Sequence, residues 1–134
     1  MRGEVVLLSR NIKIVGNDTE EWGGQIVTSD FVEVNGTQRN GTLLMDNVEV
    51  YNCSQRDTSR AAVRFEGSFL GQSIISNSAI HHGRGYGVYM MDAKNKTLVN
   101  NTIFMHVGQG IGMEQVTDIN ILNNWIIGLK SQDL

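Results

Sequence analysis

The chain has 134 residues, 40% of them hydrophobic, a net charge of −3 and a pI near 5.5. That length and apolar fraction suffice for one core and one domain. The acidic balance argues against a nucleic-acid partner, which normally demands a basic face, and no stretch approaches the roughly 20 apolar residues of a membrane-spanning helix.

From the N-terminus, Glu4-Val5-Val6-Leu7-Leu8-Ser9 reads as a strand, because an acidic residue precedes an apolar run too short for a signal peptide. Arg10-Asn11-Ile12-Lys13-Ile14-Val15 is a weak first copy of a pattern that returns four times more clearly after it. The segment near 17–42 is rich in turn residues and reads as a loop insertion, and a second insertion is expected near 53–60.

The clear copies begin at Met45-Asp46-Asn47-Val48-Glu49-Val50. They continue at Ile75-Ser76-Asn77-Ser78-Ala79-Ile80, Val99-Asn100-Asn101-Thr102-Ile103-Phe104 and Leu122-Asn123-Asn124-Trp125-Ile126-Ile127. Aligned on Asn47, Asn77, Asn101 and Asn124 the intervals are 30, 24 and 23 residues, a period that signals stacked repeats. Apolar residues alternate or run in short blocks between Gly, Asn, Asp and Ser, so each repeat is built of strands. A further strand follows each of the first three of these copies, at Ala61–Phe65, Gly87–Met91 and Gly110–Glu114. The predicted fold is all-β, a right-handed parallel β-helix with coils of about 23–24 residues, spanning 1–134 as a single domain. The aligned asparagines are expected to form a hydrogen-bonded ladder along the axis. The absence of proline fits uninterrupted ladders, and the glycine clusters at 83–87 and 108–112 fit coil corners rather than phosphate loops, since no helix follows them.

Six Asn-x-Ser/Thr sequons occur, at Asn17, Asn35, Asn40, Asn52, Asn95 and Asn100. Chance pairing of 13 Asn with 17 Ser and Thr would give about 1.7, so the excess points to a glycosylated, extracellular or cell-surface chain. Asn52 and Asn100 lie closest to the repeat strands, where a glycan has least room. The single Cys53 forms no internal disulfide and lacks an activating constellation.

His82 and His106 are 24 residues apart, as are Asn77 and Asn101, and are expected to stack at one corner about 4.8 Å apart. Arg84, Asp92 and Glu114 would extend that corner into a polar groove. Two imidazoles fall short of the three or four ligands zinc usually takes, so neither metal nor cofactor is expected. Among the aromatics Tyr86, beside Arg84 in a glycine-rich corner, is expected to be exposed and to contact a glycan, while Phe104 and Trp125 are expected to pack inward. The expected ligand-binding set is therefore Arg84, Tyr86, His82 and His106.

The opening Arg2-Gly3-Glu4-Val5-Val6-Leu7-Leu8-Ser9-Arg10-Asn11-Ile12-Lys13-Ile14 resembles the segment that follows a G8 domain in the fibrocystin and fibrocystin-like family. Ser78-Ala79-Ile80-His81-His82-Gly83, Gly87-Val88-Tyr89, Asn100-Asn101-Thr102-Ile103 and Val107-Gly108-Gln109-Gly110-Ile111-Gly112-Met113 continue the resemblance, which covers nearly the whole chain. It implies a β-helix piece of a large, membrane-anchored surface glycoprotein, a structural or recognition module whose partner is a glycan or an extracellular protein. More distant relatives depolymerise hyaluronan, which implies an alternative enzyme built on His81, His82, His106 and Glu114. This chain departs from those relatives: Arg64 and Glu66 stand where they carry paired histidines, and Gly108-Gln109 where they carry Gly-His. The apolar runs Val5–Leu8 and Trp125–Ile127 would be unpaired edges in isolation, so further coils are expected in a longer parent.

Overall fold

A computed structural model describes residues 12–17, 23–107 and 109–128. Three parallel sheets run along one axis, and the chain visits them in rotation. The first sheet holds β1 (Ile12–Val15), β6 (Val48–Tyr51), β9 (Ala79–His81), β12 (Thr102–Phe104) and β15 (Trp125–Ile127). The second holds β2 (Ile26–Ser29), β7 (Val63–Glu66), β10 (Val88–Met91) and β13 (Ile111–Glu114). The third holds β5 (Leu44–Asp46), β8 (Ser73–Ser76), β11 (Lys94–Val99) and β14 (Thr117–Leu122). Between β2 and β5 an antiparallel hairpin, β3 (Phe31–Val32) and β4 (Gln38–Arg39), projects from the stack. This is a parallel β-helix, as the repeat implies.

Register explains the burial. On the first sheet Ile14, Val50, Ile80, Ile103 and Ile126 form one inward column, while Val15, Tyr51, His81, Phe104 and Ile127 form an outward one. Val63 over Val88, Phe65 over Met90 and Ile75 beside Leu98 fill the remaining interior, all within 1% of complete burial. Each such side chain contributes roughly 1.5–3 kcal/mol, and residues one register step away point to solvent.

Corners are made by single residues in the left-handed region. Asn47, Asn77, Asn100 and Asn123, with φ of 56°, 48°, 55° and 52°, turn the chain from the third sheet into the first. Asn52, His82 and Met105 turn it from the first into the second, and Gly67, Asp92 and Gln115 from the second into the third; Gly128, directly after β15, has the same left-handed conformation. Asn, Asp and Gly tolerate this conformation and hold most of these corners, with His82, Met105 and Gln115 at the others.

The asparagine ladder is one residue out of the sequence alignment. The outer corner column is Asn47, Asn77, Asn100 and Asn123, whereas Asn101 and Asn124 fall in register with Ser78 and Val48 and point inward. Asn101 Oδ1 accepts the Ser78 N–H at 3.0 Å, its Nδ2 donates to Ile75 O at 2.8 Å, and Asn124 Oδ1 accepts the Asn101 N–H at 3.0 Å. These side chains satisfy backbone groups that the corner leaves open. The doublets Asn100-Asn101 and Asn123-Asn124 allow either residue to be aligned. The residues that pair across coils recur every 23, and that spacing places the outer column on the first Asn of each doublet.

One charged residue also points inward. Lys96 sits in register with Ser73 and Ile119, fully buried, with Nζ donating to Gly71 O and Lys94 O at 2.6 Å each and lying 5.8 Å from the Phe65 ring centre. Burial lowers its pKa, since the ammonium has lost water. Its position is inferable from register alone, because an alternating strand must aim every second residue into the core.

Candidate functional site

The outer face of the second sheet gathers charged and aromatic side chains. Arg64, Tyr89 and Gly112 occupy one outward column, and Glu66, Met91 and Glu114 the next. Arg64 is nearly buried, because the loop preceding β7 folds over it. Its Nε donates to Glu66 Oε2 at 3.1 Å and its Nη1 to Ser59 O at 2.7 Å and to Ser59 Oγ at 2.6 Å. The guanidinium carbon lies 5.6 Å from the centre of the Tyr89 ring, within range of a cation–π contact.

Tyr89 links the face together. Its hydroxyl donates to Glu114 Oε2 at 3.1 Å, and its ring meets Tyr86 edge-on with centres 5.0 Å apart. Burial first, then the Glu114 carboxylate, raises the Tyr89 pKa, so it remains a neutral hydroxyl donor. The two rings occupy the space over Gly112: a Cβ there would approach Tyr89 Cδ2 to 2.6 Å and Tyr86 Cε1 to 2.8 Å. Rings with an exposed edge beside an arginine and two carboxylates can stack on a sugar and hydrogen-bond its hydroxyls. Tyr86 is half-buried rather than exposed, because Tyr89 covers one side of it. Arg84 is also half-buried, and its backbone N–H donates to Cys53 O at 3.4 Å.

The histidines do not assemble as their spacing implied. His82 aligns with Met105, through its N–H bond to Phe104 O, whereas His106 aligns with Gly83. His106 is fully buried inside the solenoid beneath Gly83, where a Cβ would come within 2.3 Å of its Nδ1. Its ring nitrogens face Gly85 O at 3.2 Å and Ile80 O at 3.1 Å. Burial outweighs both carbonyls and lowers its pKa, which keeps the ring neutral with one nitrogen donating. His106 is therefore a core residue and neither stacks on His82 nor reaches a ligand.

His82 instead meets His81, with the Nδ1 atoms 2.7 Å apart, while His81 Nε2 lies 3.0 Å from Glu49 Oε1. A carboxylate can only accept, so His81 donates from Nε2, and in the neutral ring its Nδ1 then receives the Nδ1–H of His82. Lys13 lies 2.9 Å from Glu49 Oε2 and, with His81, holds the Glu49 pKa below its ordinary value. The His81 ring stacks on Phe104, with centres 4.6 Å apart and planes 7° from parallel, and Tyr51 borders both histidines. Phe104 thus faces outward, and Trp125, 69% exposed, does too, because each lies one step along its strand from an inward residue, Ile103 and Ile126 respectively. Glu114 belongs to the second sheet and the His81–His82 pair to the end of the first, so the four residues of the enzyme alternative are distributed over two outer faces and the core. Among the described residues no group of three or more His, Cys, Asp and Glu is placed to hold a metal ion.

Of the sequons, Asn17, Asn35, Asn40, Asn95 and Asn100 are exposed. Asn52 is 7% exposed, with its Nδ2 donating to Gly16 O at 3.4 Å, so a glycan does not fit on it. Asn100, expected to be crowded, stands clear at its corner. The Cys53 thiol is buried, which raises its pKa and leaves it unreactive.

Comparisons with known proteins agree with this architecture. The right-handed β-helix region family matches residues 5–132. Human fibrocystin-L is 32% identical over 127 residues, covering 83% of this chain and 3% of fibrocystin-L. Mouse fibrocystin is 28% identical over 127 residues, covering 95% of this chain and 3% of fibrocystin. The chain thus spans a small fraction of the length of these relatives, and no solved structure matches it.

Proposed function

The chain belongs to the right-handed β-helix family as a fibrocystin-like region, and from that premise we propose that it is a non-catalytic extracellular module that recognises a glycan or protein through the outer face of its second sheet. The observation that carries this reading is the Arg64–Tyr89–Glu114 arrangement, in which Tyr89 bridges arginine and carboxylate on a regular, outward-facing strand surface. A solenoid holds such side chains in fixed rows, which lowers the ordering cost of binding. The five exposed sequons support an extracellular, glycosylated setting, and a membrane-anchored parent follows from the resemblance.

The polysaccharide-cleaving alternative is the weaker reading. Cleavage by acid–base chemistry needs its donor and acceptor groups around one bond, and His106 is in the core while Glu114 and His81 occupy different sheets. The test is retention of the purified secreted domain on a panel of immobilised extracellular glycans and ectodomains. Tyr89→Ala is expected to abolish the retention seen with the unmodified chain while melting within a few degrees of it. Retention indifferent to Tyr89 and Glu114 would remove this face from the account.

A further inference from the structure

The hairpin of β3 and β4 carries apolar side chains into solvent, and the segment after β7 meets it with more. Between them lies a groove of about 320 Å³ lined by Asp30, Phe31, Val32, Gln38, Phe69 and Leu70. Phe31 is 59% exposed, Phe69 47% and Leu70 49%. Apolar residues scattered singly over a surface need no explanation, whereas several around one groove mark something that covers them. The groove is preformed. Asp30 Oδ1 accepts the Gly41 N–H and its Oδ2 the Leu70 N–H, both at 2.8 Å, so one carboxylate ties the base of the hairpin to the opposite wall. Across the hairpin Arg39 Nε donates to Glu33 Oε1 at 2.7 Å.

These bonds narrow the choice of occupant. Asp30 commits both oxygens to backbone groups and Arg39 is paired, so the groove presents ring faces and alkyl groups rather than a charge. A sugar ring offers a matching surface, because its C–H face packs on the electron-rich face of an aromatic ring. The volume is at the lower end of the roughly 300–1,000 Å³ of small-ligand sites and suits one such ring.

A source for that ring stands beside the groove. Asn40 opens the sequon Asn40-Gly41-Thr42, is exposed, and follows Arg39, the register partner of Phe31. It also adjoins the opposite wall: a Cβ on Gly71, next to Leu70, would lie 3.5 Å from Asn40 Cβ. A sugar on Asn40 is tethered, so it meets the groove at high effective concentration and without losing translational freedom. Asn35, the other sequon of this hairpin, is at its tip, where a Cβ on the neighbouring Gly36 would meet nothing within 4 Å.

We propose that the groove seats the first N-acetylglucosamine of the chain's own glycan on Asn40, which thereby covers Phe31, Phe69 and Leu70. The proposal rests on the glycosylated setting of the reading above and is independent of the Tyr89 face.

The test uses the full chain secreted from mammalian cells, with its glycans trimmed enzymatically to one N-acetylglucosamine and occupancy read by mass spectrometry. Nuclear Overhauser contacts are expected from the Asn40 sugar to the Phe31 and Phe69 rings, and none from an Asn35 sugar. Asn40→Gln, or complete enzymatic removal of the glycan from the folded chain, should lower the melting temperature by a few degrees and raise binding of an apolar dye severalfold. Neither change is expected on Asn35→Gln, nor when the sugar is removed in a Phe31→Ala, Phe69→Ala background. An occupied Asn40 whose sugar makes no such contact, and whose removal moves neither reading, would overturn the seat and leave the glycosylated setting standing. A bare Asn40 beside an occupied Asn35 would do the same, and no occupied sequon would overturn both. Dimerisation that the Asn40 sugar does not block and Phe69→Ala abolishes would overturn the seat by giving the groove to a second copy.

Discussion

Asn101→Ala tests the interior ladder on which the coil corner depends. The amide holds three partners: the Ser78 N–H, Ile75 O and Asn124 Oδ1. Ser78 is 1% exposed, so its N–H cannot turn to water when the acceptor is removed. An orphaned buried donor costs roughly 1–3 kcal/mol, and each of the two other bonds about 0.5–1.5 kcal/mol. The expected loss is therefore about 2–6 kcal/mol, a large share of the roughly 5–15 kcal/mol that holds a domain together. It corresponds to a fall of roughly 10–20 °C in melting temperature. The control is Asn77→Gly. Asn77 lies on the outer corner at φ 48°, where its amide donates to Asp46 Oδ1 at 2.7 Å in a solvated setting. Glycine accepts that φ without strain, so a cost below about 1 kcal/mol is expected. Urea unfolding followed by circular dichroism measures both, with the slope checked for constancy so that midpoint shifts report stability. Equal losses for Asn101→Ala and Asn77→Gly would refute the register and with it the assignment of the inward column.

The low pKa of buried His106 makes the folded state bind protons less readily than the unfolded chain. Stability is therefore lost as pH falls from the unfolded value near 6.5 toward the folded one, by at most about 1.4 kcal/mol per pH unit. His106→Gln should flatten the profile between about pH 6.5 and 5 relative to the unmodified chain, and an unchanged slope in urea titrations would contradict its burial. Gly112→Ala drives a Cβ into the Tyr86 and Tyr89 rings; because both rings lie on the outer face, it should weaken ligand retention severalfold while costing about 1–2 kcal/mol or less in unfolding measurements. In material secreted from mammalian cells, site-resolved mass spectrometry should find glycans among Asn17, Asn35, Asn40, Asn95 and Asn100 and none on Asn52, and an occupied Asn52 would mean that the corner it closes is open.

Strand repetition was legible because each coil repeats short apolar blocks at intervals near 23 residues, a length that one turn of three strands and three corners requires. Inward and outward assignment was less legible. Phe104 and Trp125 are large and apolar, which suggests burial, but parity along β12 and β15 aims them outward. The interval between His82 and His106 matched the distance between two asparagines, yet those asparagines are themselves one register step apart, so the coincidence joined an outer corner to the core. Glu49 and Tyr51 carried no motif; only the pairing of Tyr51 with His81 reveals what they stand beside. Loops folded over a sheet, as the loop carrying Ser59 is over Arg64, leave no periodic trace, which is why the covering of Arg64 could not be read from the chain.

The central claim is that this solenoid recognises without cleaving. The direct measurement is size-resolved hyaluronan degradation by the purified, folded domain, with and without added divalent metal, beside His81→Ala and His82→Ala. The account expects polymer length to stay constant in every arm. Shortening that the two histidine substitutions abolish would contradict it and place an active site at the Glu49–His81–His82 corner.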